Sequence, residues 1–408
     1  MRKETLVALA FLGTTLLASA QERILFIGNS YTGYNNLGTM VENAAGSMGY
    51  SFSTTSLTPG GATLYQHTQN QSTYNQMTAA SWDYVVFQAQ SQEPSFPNSQ
   101  VAVQTLPYAD QLVDSLRSIA PCAQPTFFRT WGRKYGDAAN CPFFPPLCTY
   151  EGMDSLLHLR YRMMADSNDA YLSPVGSVWK YIRNTDTTIE LYTSDHSHPS
   201  LAGSYAAACT FTTIFTRSNP MAITYEANLD STVAYTIRQA AKLVVYDSLS
   251  QWNVGAFDVD ASLAHQMSND TLYFNSNSTH YDSLWTSFGD GSGSDQSSGS
   301  HSYGLDQSFT VRHYAYKCGR VDSVSFTVQS VVPFGLEESS ISTDRFYELL
   351  HFWNPELARI NLYNAQGKRV ASYSQPSTLP THLNGLHIAE LEWYSGPSQQ
   401  LKLVLLPR

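Results

Sequence analysis

Between residues 21 and 250, short apolar runs alternate with stretches of helical periodicity, and this alternation constrains the fold more than any other feature. Residues 23–27, 84–87 and 126–128 are continuous apolar runs typical of buried strands. Between them, apolar residues recur at helical spacing at Leu37, Met40, Val41, Ala44, Ala45 and Met48, and again at Leu112, Val113, Leu116 and Ile119. Strands that alternate with helices predict an α/β fold with a parallel sheet, whose sites lie at the carboxyl ends of the strands.

The character of the sequence changes after about residue 250, where Ser, Asp, Asn and Gly become frequent and the apolar runs are short. Residues 309–311 and 324–328 alternate with period two, and residues 288–291 (FGDG) are typical of a tight turn. A chain of 408 residues also exceeds one ordinary hydrophobic core. We therefore predict an α/β domain over 21–250, followed by two small β-sandwich domains over 251–331 and 332–408.

Residues 1–20 have the layout of a secretory signal peptide: a basic start, an apolar stretch and small residues before Gln21. A membrane anchor is the alternative, but it needs about 20 apolar residues, and this stretch is shorter. We expect no transmembrane segment in the mature chain. The net charge of −10, without any Lys/Arg run, argues against a nucleic-acid partner. The expected location is therefore secreted or at the outer cell surface.

The chain has five cysteines, which suits an exported protein but is too few for a disulfide scaffold. Cys141 and Cys148 bracket a proline-rich loop and are the predicted pair. Because five is odd, at least one thiol must lack an intramolecular partner.

A serine follows the first predicted strand in residues 27–32 (IGNSYT), just before a helix. Ser30 is therefore predicted at the carboxyl end of a strand, where backbone amides of the helix can face a developing oxyanion. Ser30 as a simple helix cap is the alternative at this point.

The partner motif is residues 195–199 (DHSHP). A serine hydroxyl attacks only if a base removes its proton, and that base needs a carboxylate on its other ring nitrogen. Asp195 and His198 can supply both from one loop. The alternatives are a turn with helix caps, or a metal site using His196 and His198. Further metal ligands are not evident, so we predict neither metal nor cofactor.

Together these motifs, with an intervening Gly-Gly, resemble the SGNH/GDSL hydrolases over about residues 22–216. The resemblance implies a three-layer, flavodoxin-like domain and a serine esterase. It assigns Ser30 as the nucleophile and as one oxyanion donor, with Asp195 and His198 completing the triad. Gly61, or its neighbour Gly60, matches the oxyanion glycine.

In most members of this family, the conserved block after the oxyanion glycine reads Gly-x-Asn-Asp. Here residues 88–92 read QAQSQ and instead resemble the Gln-Gly-Glu block of sialate and xylan acetylesterases. Gln88 is the expected third oxyanion donor, because a Gln amide offers the same N–H group as Asn. A gapless match favours Gln92. We expect His67 to lie on a helix surface, with a position lining the pocket as the alternative. We expect Glu93 to be a solvated loop acid, with orientation of Gln88 as the alternative.

The tail also resembles known families. Residues 284–328, with FGDG at 288–291, look like a PKD domain, an Ig-like β-sandwich. Residues from about 332 onward, including 360–370 and 383–388, are similar to the C-terminal sorting domain of Bacteroidetes type IX secretion, although Asn354-Pro355 is at most a remnant of its early motif. The resemblance implies the type IX secretion machinery as a partner.

The expected function is therefore an exported serine esterase that acts through an acyl-serine intermediate. Its expected substrates are O-acetyl groups on carbohydrate. The alternative is a non-catalytic glycan-binding or adhesion protein built on the same fold.

Overall fold

The computed structural model describes residues 21–331, 357–364, 366–375, 385–393 and 399–405. The predicted signal peptide and Asn354-Pro355 lie outside these residues. The chain divides into two compact units. The first contains residues 21–260 with Thr279–Asp282 and Tyr316–Val321, and the second contains the remaining described residues.

The first unit is built on a five-stranded sheet in the order β2-β1-β3-β4-β5, and all its pairings are parallel. This is the flavodoxin-like strand order, in which the chain changes direction between β1 and β3. The strands are β1 (Glu22–Ile27), β2 (Phe52–Leu57), β3 (Tyr84–Phe87), β4 (Gln124–Phe128) and β5 (Tyr171–Ser173). The predicted α/β fold with a parallel sheet is confirmed.

The described residues contain ten α-helices, all in the first unit. They are α1 (Ser30–Gly33), α2 (Leu37–Gly46), α3 (Leu64–Gln69), α4 (Gln71–Thr78), α5 (Asn98–Gln104), α6 (Leu106–Ile119), α7 (Tyr150–Ser167), α8 (Val175–Thr185), α9 (Leu201–Thr216) and α10 (Ser231–Val244). Five short 3-10 helices connect them, at Tyr34–Asn36, Glu93–Ser95, Pro145–Cys148, Pro220–Ala222 and Tyr246–Trp252.

The helices pack in two groups against the sheet. Helices α2, α8, α9 and α10 contact one another, and helices α3 to α7 form a second contacting set. Helix α9 is buried on nearly all sides, which explains its run of Ala, Thr and Phe in place of a polar face. Residues 24–27 of β1 and all of β3 are similarly buried, as the apolar runs predicted.

The predicted boundary at residue 250 falls inside the last 3-10 helix, and the first unit continues to Asp260. Trp252 is buried and donates its indole N–H to Val244 O at 2.9 Å. Asp258 pairs with Arg217 and accepts a 3.1 Å hydrogen bond from the Tyr171 hydroxyl. The segment after residue 250 is therefore part of the α/β core.

Six strand pairings of the second unit have a described residue register, and all six are antiparallel. One sheet has the order β10-β7-β6 and another β12-β11-β8-β9, and a core of Leu272, Phe274, Phe288, Tyr303, Phe309, Val311 and Val328 lies between strands of both. The strands are β6 (Leu263–Ser268), β7 (Thr271–Ser276), β8 (Ser283–Ser287), β9 (Gly293–Ser294), β10 (Ser298–Ser302), β11 (Ser308–Lys317) and β12 (Arg320–Gln329). This arrangement agrees with a small β-sandwich.

The tail forms a further four-stranded antiparallel sheet in the order β14-β13-β15-β16. Its strands are β13 (Leu357–Asn364), β14 (Arg369–Tyr373), β15 (Gly385–Trp393) and β16 (Gln399–Leu405).

Cys141 and Cys148 form a disulfide, which confirms the predicted pair, and Cys122 is joined to Cys318 across 196 residues of sequence. Cys209 is the unpaired thiol, and burial raises its pKa to about 12, so it stays protonated. Among the described residues, no helix combines the length and apolar character needed to cross a bilayer.

Candidate active site

Ser30 begins α1 directly after β1, at the point where the strand order reverses. Two observations explain the sharp turn there. A side chain on Gly28 would approach Thr32 Oγ1 to 2.6 Å and Gln88 Oε1 to 2.7 Å, so only glycine fits. The Asn29 side chain caps the short helix by accepting from Tyr31 N at 3.0 Å. The sequence thus places the Ser30 hydroxyl at the crevice where such sheets bind ligands.

Asp195 organises the loop before α9 around its own carboxylate. Its Oδ1 accepts from the backbone N–H groups of Ser197 and His198, both at 2.9 Å, and from Thr193 Oγ1 at 2.7 Å. His196 takes a left-handed conformation with φ +61°, which lets the chain wrap this closely. Burial raises the pKa of Asp195, but the hydrogen bonds from the His198 ring and these groups outweigh burial and hold its pKa well below the usual range. Asp195 is therefore a carboxylate at neutral pH.

The loop brings the His198 ring between Asp195 and Ser30. Nδ1 of His198 lies 2.5 Å from Asp195 Oδ2, and Nε2 lies 2.9 Å from Ser30 Oγ. Because a carboxylate only accepts hydrogen bonds, Nδ1 carries the proton and Nε2 presents its lone pair to the Ser30 hydroxyl. The three residues expected as a triad thus stand in the order nucleophile, base and orienting acid.

Aromatic rings enclose the His198 imidazole. Tyr34 stacks on one face, with ring centroids 4.5 Å apart, and Tyr31 meets it edge-on at 5.4 Å. The Tyr31 hydroxyl lies 2.6 Å from Ser197 Oγ, and Trp131 donates its indole N–H to Ser197 O at 3.0 Å. The residue next to His198 is therefore fixed from two directions. Sequence analysis missed Tyr31 and Tyr34 because neither carries chemistry of its own.

Two backbone amides near Ser30 are free to act as donors. Ser30 is the first residue of α1, so its N–H has no intrahelical acceptor. Gly61 follows in a turn closed by Ala62 N donating to Pro59 O at 3.1 Å, and no hydrogen bond of its own N–H is found in the described part of the chain. Its φ of +70° explains the glycine, because residues with a side chain rarely adopt this conformation, even though an added Cβ would meet no neighbouring atom. Gly60 is the exposed residue before it.

The expectation for Gln88 needs correction. Its side chain is fully buried, and Oε1 accepts from Asn29 N and Thr32 Oγ1, both at 2.9 Å. Its Nε2 donates to Ala89 O. With both ends of the amide engaged inside the protein, Gln88 braces the nucleophile turn and offers no donor to a substrate. Gln92, the alternative, donates to Asp137 Oδ2 at 2.6 Å.

His67 and Glu93 also differ from expectation. His67 is 1% exposed, so the predicted helix-surface position is wrong. Glu93 is half-buried, and its Oε2 has no hydrogen-bond partner among the described residues. Burial raises the pKa of Glu93 to about 7. Glu93 is therefore not the solvated loop acid that we expected, since burial has raised its pKa.

A metal site at His196 and His198 was the alternative, but the described residues supply no further ligands for it. No cluster of three or more His, Cys, Asp or Glu suited to a metal occurs in the regions that the structure describes. The His196 ring instead packs edge-on against Tyr135 at 4.9 Å.

No family model matches the chain, and no curated protein matches it either. Solved structures are similar over parts of it. A DUF4886 family protein from Bacteroides uniformis is 17% identical with a TM-score of 0.48, covering 57% of this chain and 99% of that one. A protein from Slackia heliotrinireducens, described as a candidate SGNH hydrolase, is 26% identical with a TM-score of 0.38, covering 47% and 97%.

The PKD1 domain of Vibrio anguillarum Epp is 22% identical with a TM-score of 0.18, covering 18% of this chain and 95% of that domain. These TM-scores all lie below 0.5, so the functional assignment depends on the geometry of the site itself.

Proposed function

We propose that the protein is a serine esterase that acts through an acyl-serine intermediate. The observation that carries this proposal is the continuous contact from Ser30 Oγ to His198 Nε2 and from His198 Nδ1 to Asp195 Oδ2. A hydroxyl that only capped a helix would not need an oriented imidazole, and an imidazole that only packed would not need a carboxylate on its far nitrogen.

In the first half of the reaction, Ser30 Oγ attacks the ester carbonyl carbon while its proton passes to His198 Nε2. The carbonyl oxygen becomes an oxyanion, which the N–H groups of Ser30 and Gly61 stabilise. When the intermediate collapses, the bond to the leaving alkoxide breaks and the alkoxide takes the proton from His198.

In the second half, a water molecule gives its proton to His198 Nε2 and attacks the acyl-serine carbon. Collapse of this second tetrahedral intermediate breaks the bond to Ser30 Oγ and returns the proton to it, releasing the carboxylic acid. Asp195 remains ionised throughout and stabilises the imidazolium that forms twice.

For the substrate, we infer an O-acetyl group on a carbohydrate. The predicted export and the β-rich modules that follow the α/β unit support this choice, because such modules are common on enzymes that work outside the cell on polymers. The exposed ring of Tyr34 beside His198 also suits an open site in which only the acyl group needs to enter.

Hydrolysis of p-nitrophenyl acetate, acetylated xylan and a lipid ester should be compared for the native chain and Ser30→Ala. We expect turnover of the small ester and release of acetate from xylan, both abolished in Ser30→Ala. Activity that survives Ser30→Ala would falsify the mechanism, and a preference for the lipid ester would overturn the carbohydrate assignment.

One observation favours a competing function, a glycan-binding protein without catalysis. Because the Gln88 amide donates to Ala89 O, the site keeps two backbone donors and lacks the side-chain amide donor expected from residues 88–92. A fluorophosphonate probe separates the two functions. Covalent labelling of Ser30 supports the esterase, whereas polysaccharide binding by a folded protein that resists labelling supports the binding protein.

We further infer that residues 1–20 direct export and that the tail from about residue 332 is a sorting domain for the type IX secretion machinery, so that the protein reaches the outer surface. Deletion of the tail in the native host should leave the protein inside the cell envelope. Normal surface display of the deleted protein would contradict this inference.

A further inference from the structure

A buried histidine lies behind the nucleophile turn, outside the triad. His67 is on α3 and 1% exposed. Its Nε2 lies 2.9 Å from Gly28 O, and its Nδ1 lies 3.3 Å from Thr73 Oγ1. Since a carbonyl oxygen only accepts, Nε2 carries the proton and Nδ1 accepts from the threonine hydroxyl. The ring is thus a neutral donor directed at Gly28, the residue that follows β1.

Helix α3 follows immediately after the turn that holds Gly61. Thr63 caps the helix, accepting from Gln66 N at 3.0 Å while the Gln66 side chain accepts from Thr63 N at 3.0 Å. This capping box fixes where α3 begins, three residues after Gly61. Any group that ties α3 to the nucleophile turn therefore also fixes the position of Gly61 relative to Ser30.

Two hydrogen bonds make that connection. One is the His67 bond to Gly28 O, and no other hydrogen bond to this carbonyl is found within the described ranges. The second runs in the opposite direction, from Asn29 Nδ2 to Ala62 O at 3.1 Å. Gly28 lies two residues before Ser30, and Ala62 directly follows Gly61; Ser30 and Gly61 carry the proposed oxyanion donors.

We propose that His67 is a positioning residue that sets the spacing between the Ser30 and Gly61 amides. This inference rests on the proposed esterase function and adds a residue to the same site. His67 touches neither substrate nor triad. It acts through Gly28, by holding the nucleophile turn against the start of α3.

The expected effect is specific to the transition state. Donors of an oxyanion hole contribute when the carbonyl oxygen becomes charged, so a small displacement lowers kcat while ground-state binding changes little. A shift of about 1 Å at such a site typically costs on the order of 100-fold in rate.

The test uses the full chain with two substitutions that differ in whether the new side chain carries an N–H donor. His67→Leu fills the space but leaves Gly28 O without a donor, whereas His67→Gln places an amide N–H near the position of Nε2. The control is His313→Leu, which removes another buried histidine, bonded to Ser276, Ser278 and Thr286 in the second unit. For each, kcat, KM and the inhibition constant of phenylboronic acid, whose serine adduct mimics the tetrahedral intermediate, are measured on p-nitrophenyl acetate.

His67→Leu should lose roughly 10- to 100-fold in kcat with KM within about twofold, and boronate inhibition should weaken in parallel. His67→Gln should recover most of the native kcat, and His313→Leu should melt at lower temperature with unchanged kcat. Native kcat in His67→Leu, or equal losses in the Leu and Gln variants, overturns the proposal. If His67→Leu does not fold, His67→Asn takes its place, because its shorter amide cannot reach Gly28 O.

Failure of the esterase assignment gives a different pattern. In that case the native chain has no turnover that depends on Ser30. Where Ser30→Ala abolishes turnover, the inference about His67 is overturned if His67→Leu keeps the native kcat or if the Leu and Gln variants lose it equally.

Discussion

Ser30 Oγ and His198 Nε2 lie 2.9 Å apart, although 168 residues separate them in sequence. The parallel sheet brings them together, because the turn after β1 and the loop before α9 both reach the carboxyl edge of the strands. Each half is held locally, by the Asn29 cap on one side and the Asp195 carboxylate on the other. The contact therefore depends on two preformed loops.

Asp195→Asn should lower kcat by roughly 10³- to 10⁴-fold with little change in KM. The amide oxygen can still accept from Thr193, Ser197 and the His198 backbone, so the loop should keep its shape. Its NH₂ group, however, would face His198 Nδ1 and move the ring proton to Nε2, which then cannot accept from Ser30. Asp186→Asn is the matched control, since Asp186 caps a nearby loop through Thr188 and should leave kcat unchanged.

The pH dependence of this carboxylate follows from its lowered pKa. Its contribution to stability is fully present above the ordinary aspartate range and is lost only as the pH falls below about 4. An acid limb of activity between about pH 5 and 7 in the native chain must therefore come from another group. If Asp195→Asn removed the acid limb altogether, the limb would belong to the titration of Asp195, and this assignment would be wrong.

Tyr34→Ala should reduce kcat/KM about 3- to 10-fold, because the stacked ring keeps the His198 imidazole in the plane that joins Ser30 and Asp195. Tyr34→Phe keeps the ring and should behave like the native chain. Tyr135→Ala provides the comparison, since Tyr135 packs edge-on against His196 in the same loop. Equal losses in Tyr34→Ala and Tyr135→Ala would mean that the loop as a whole, and not the imidazole, has been disturbed.

Glu93→Gln should stabilise the protein at pH 8 and have little effect at pH 4.5. Burial raises the pKa of Glu93 from 4.5 to about 7, so the unfolded chain releases this proton first as the pH rises. The native chain therefore loses stability between these two values and no further above them. In thermal melts across this range, the melting temperature of Glu93→Gln should exceed that of the native chain by a margin that grows with pH to a few degrees. Glu151→Gln, at an exposed acid in the first turn of α7, should show no such widening.

A chain ending at Asp260 should hydrolyse p-nitrophenyl acetate at the native rate. Cys122→Ser is included because the disulfide partner of Cys122 is then absent.

A chain ending at Ser250 lacks Trp252 and the Arg217–Asp258 ion pair. Its free energy of unfolding should therefore be lower by roughly 3–5 kcal/mol, the usual cost of losing a buried tryptophan. Urea unfolding measures the difference. Equal stability of the two chains would show that residues 251–260 are not part of the α/β core.

The sequence predicted those features that depend on neighbouring residues. The apolar run of β1 followed by Gly-Asn-Ser, and the three-residue spacing of Asp195 and His198, are local patterns whose geometry any such fold reproduces. The direction of the Gln88 amide is not local, because it depends on Asn29 and Thr32 across the sheet. His67 was misplaced for a related reason. Helix α3 has only six residues, too few for periodicity to show which face is buried.

The Cys122–Cys318 disulfide closes a covalent ring that contains Asp195 and His198 but not Ser30. A protease that cuts once at any exposed loop inside this ring, between residues 123 and 317, produces two polypeptides that remain joined. A cut between residues 123 and 197 would leave Ser30 on one polypeptide and His198 on the other, yet neither could diffuse away. Such a nicked molecule would migrate as one species until reduced, and its triad would remain assembled through the packing of the sheet. The ring thus converts a single cleavage from loss of the site into a silent event.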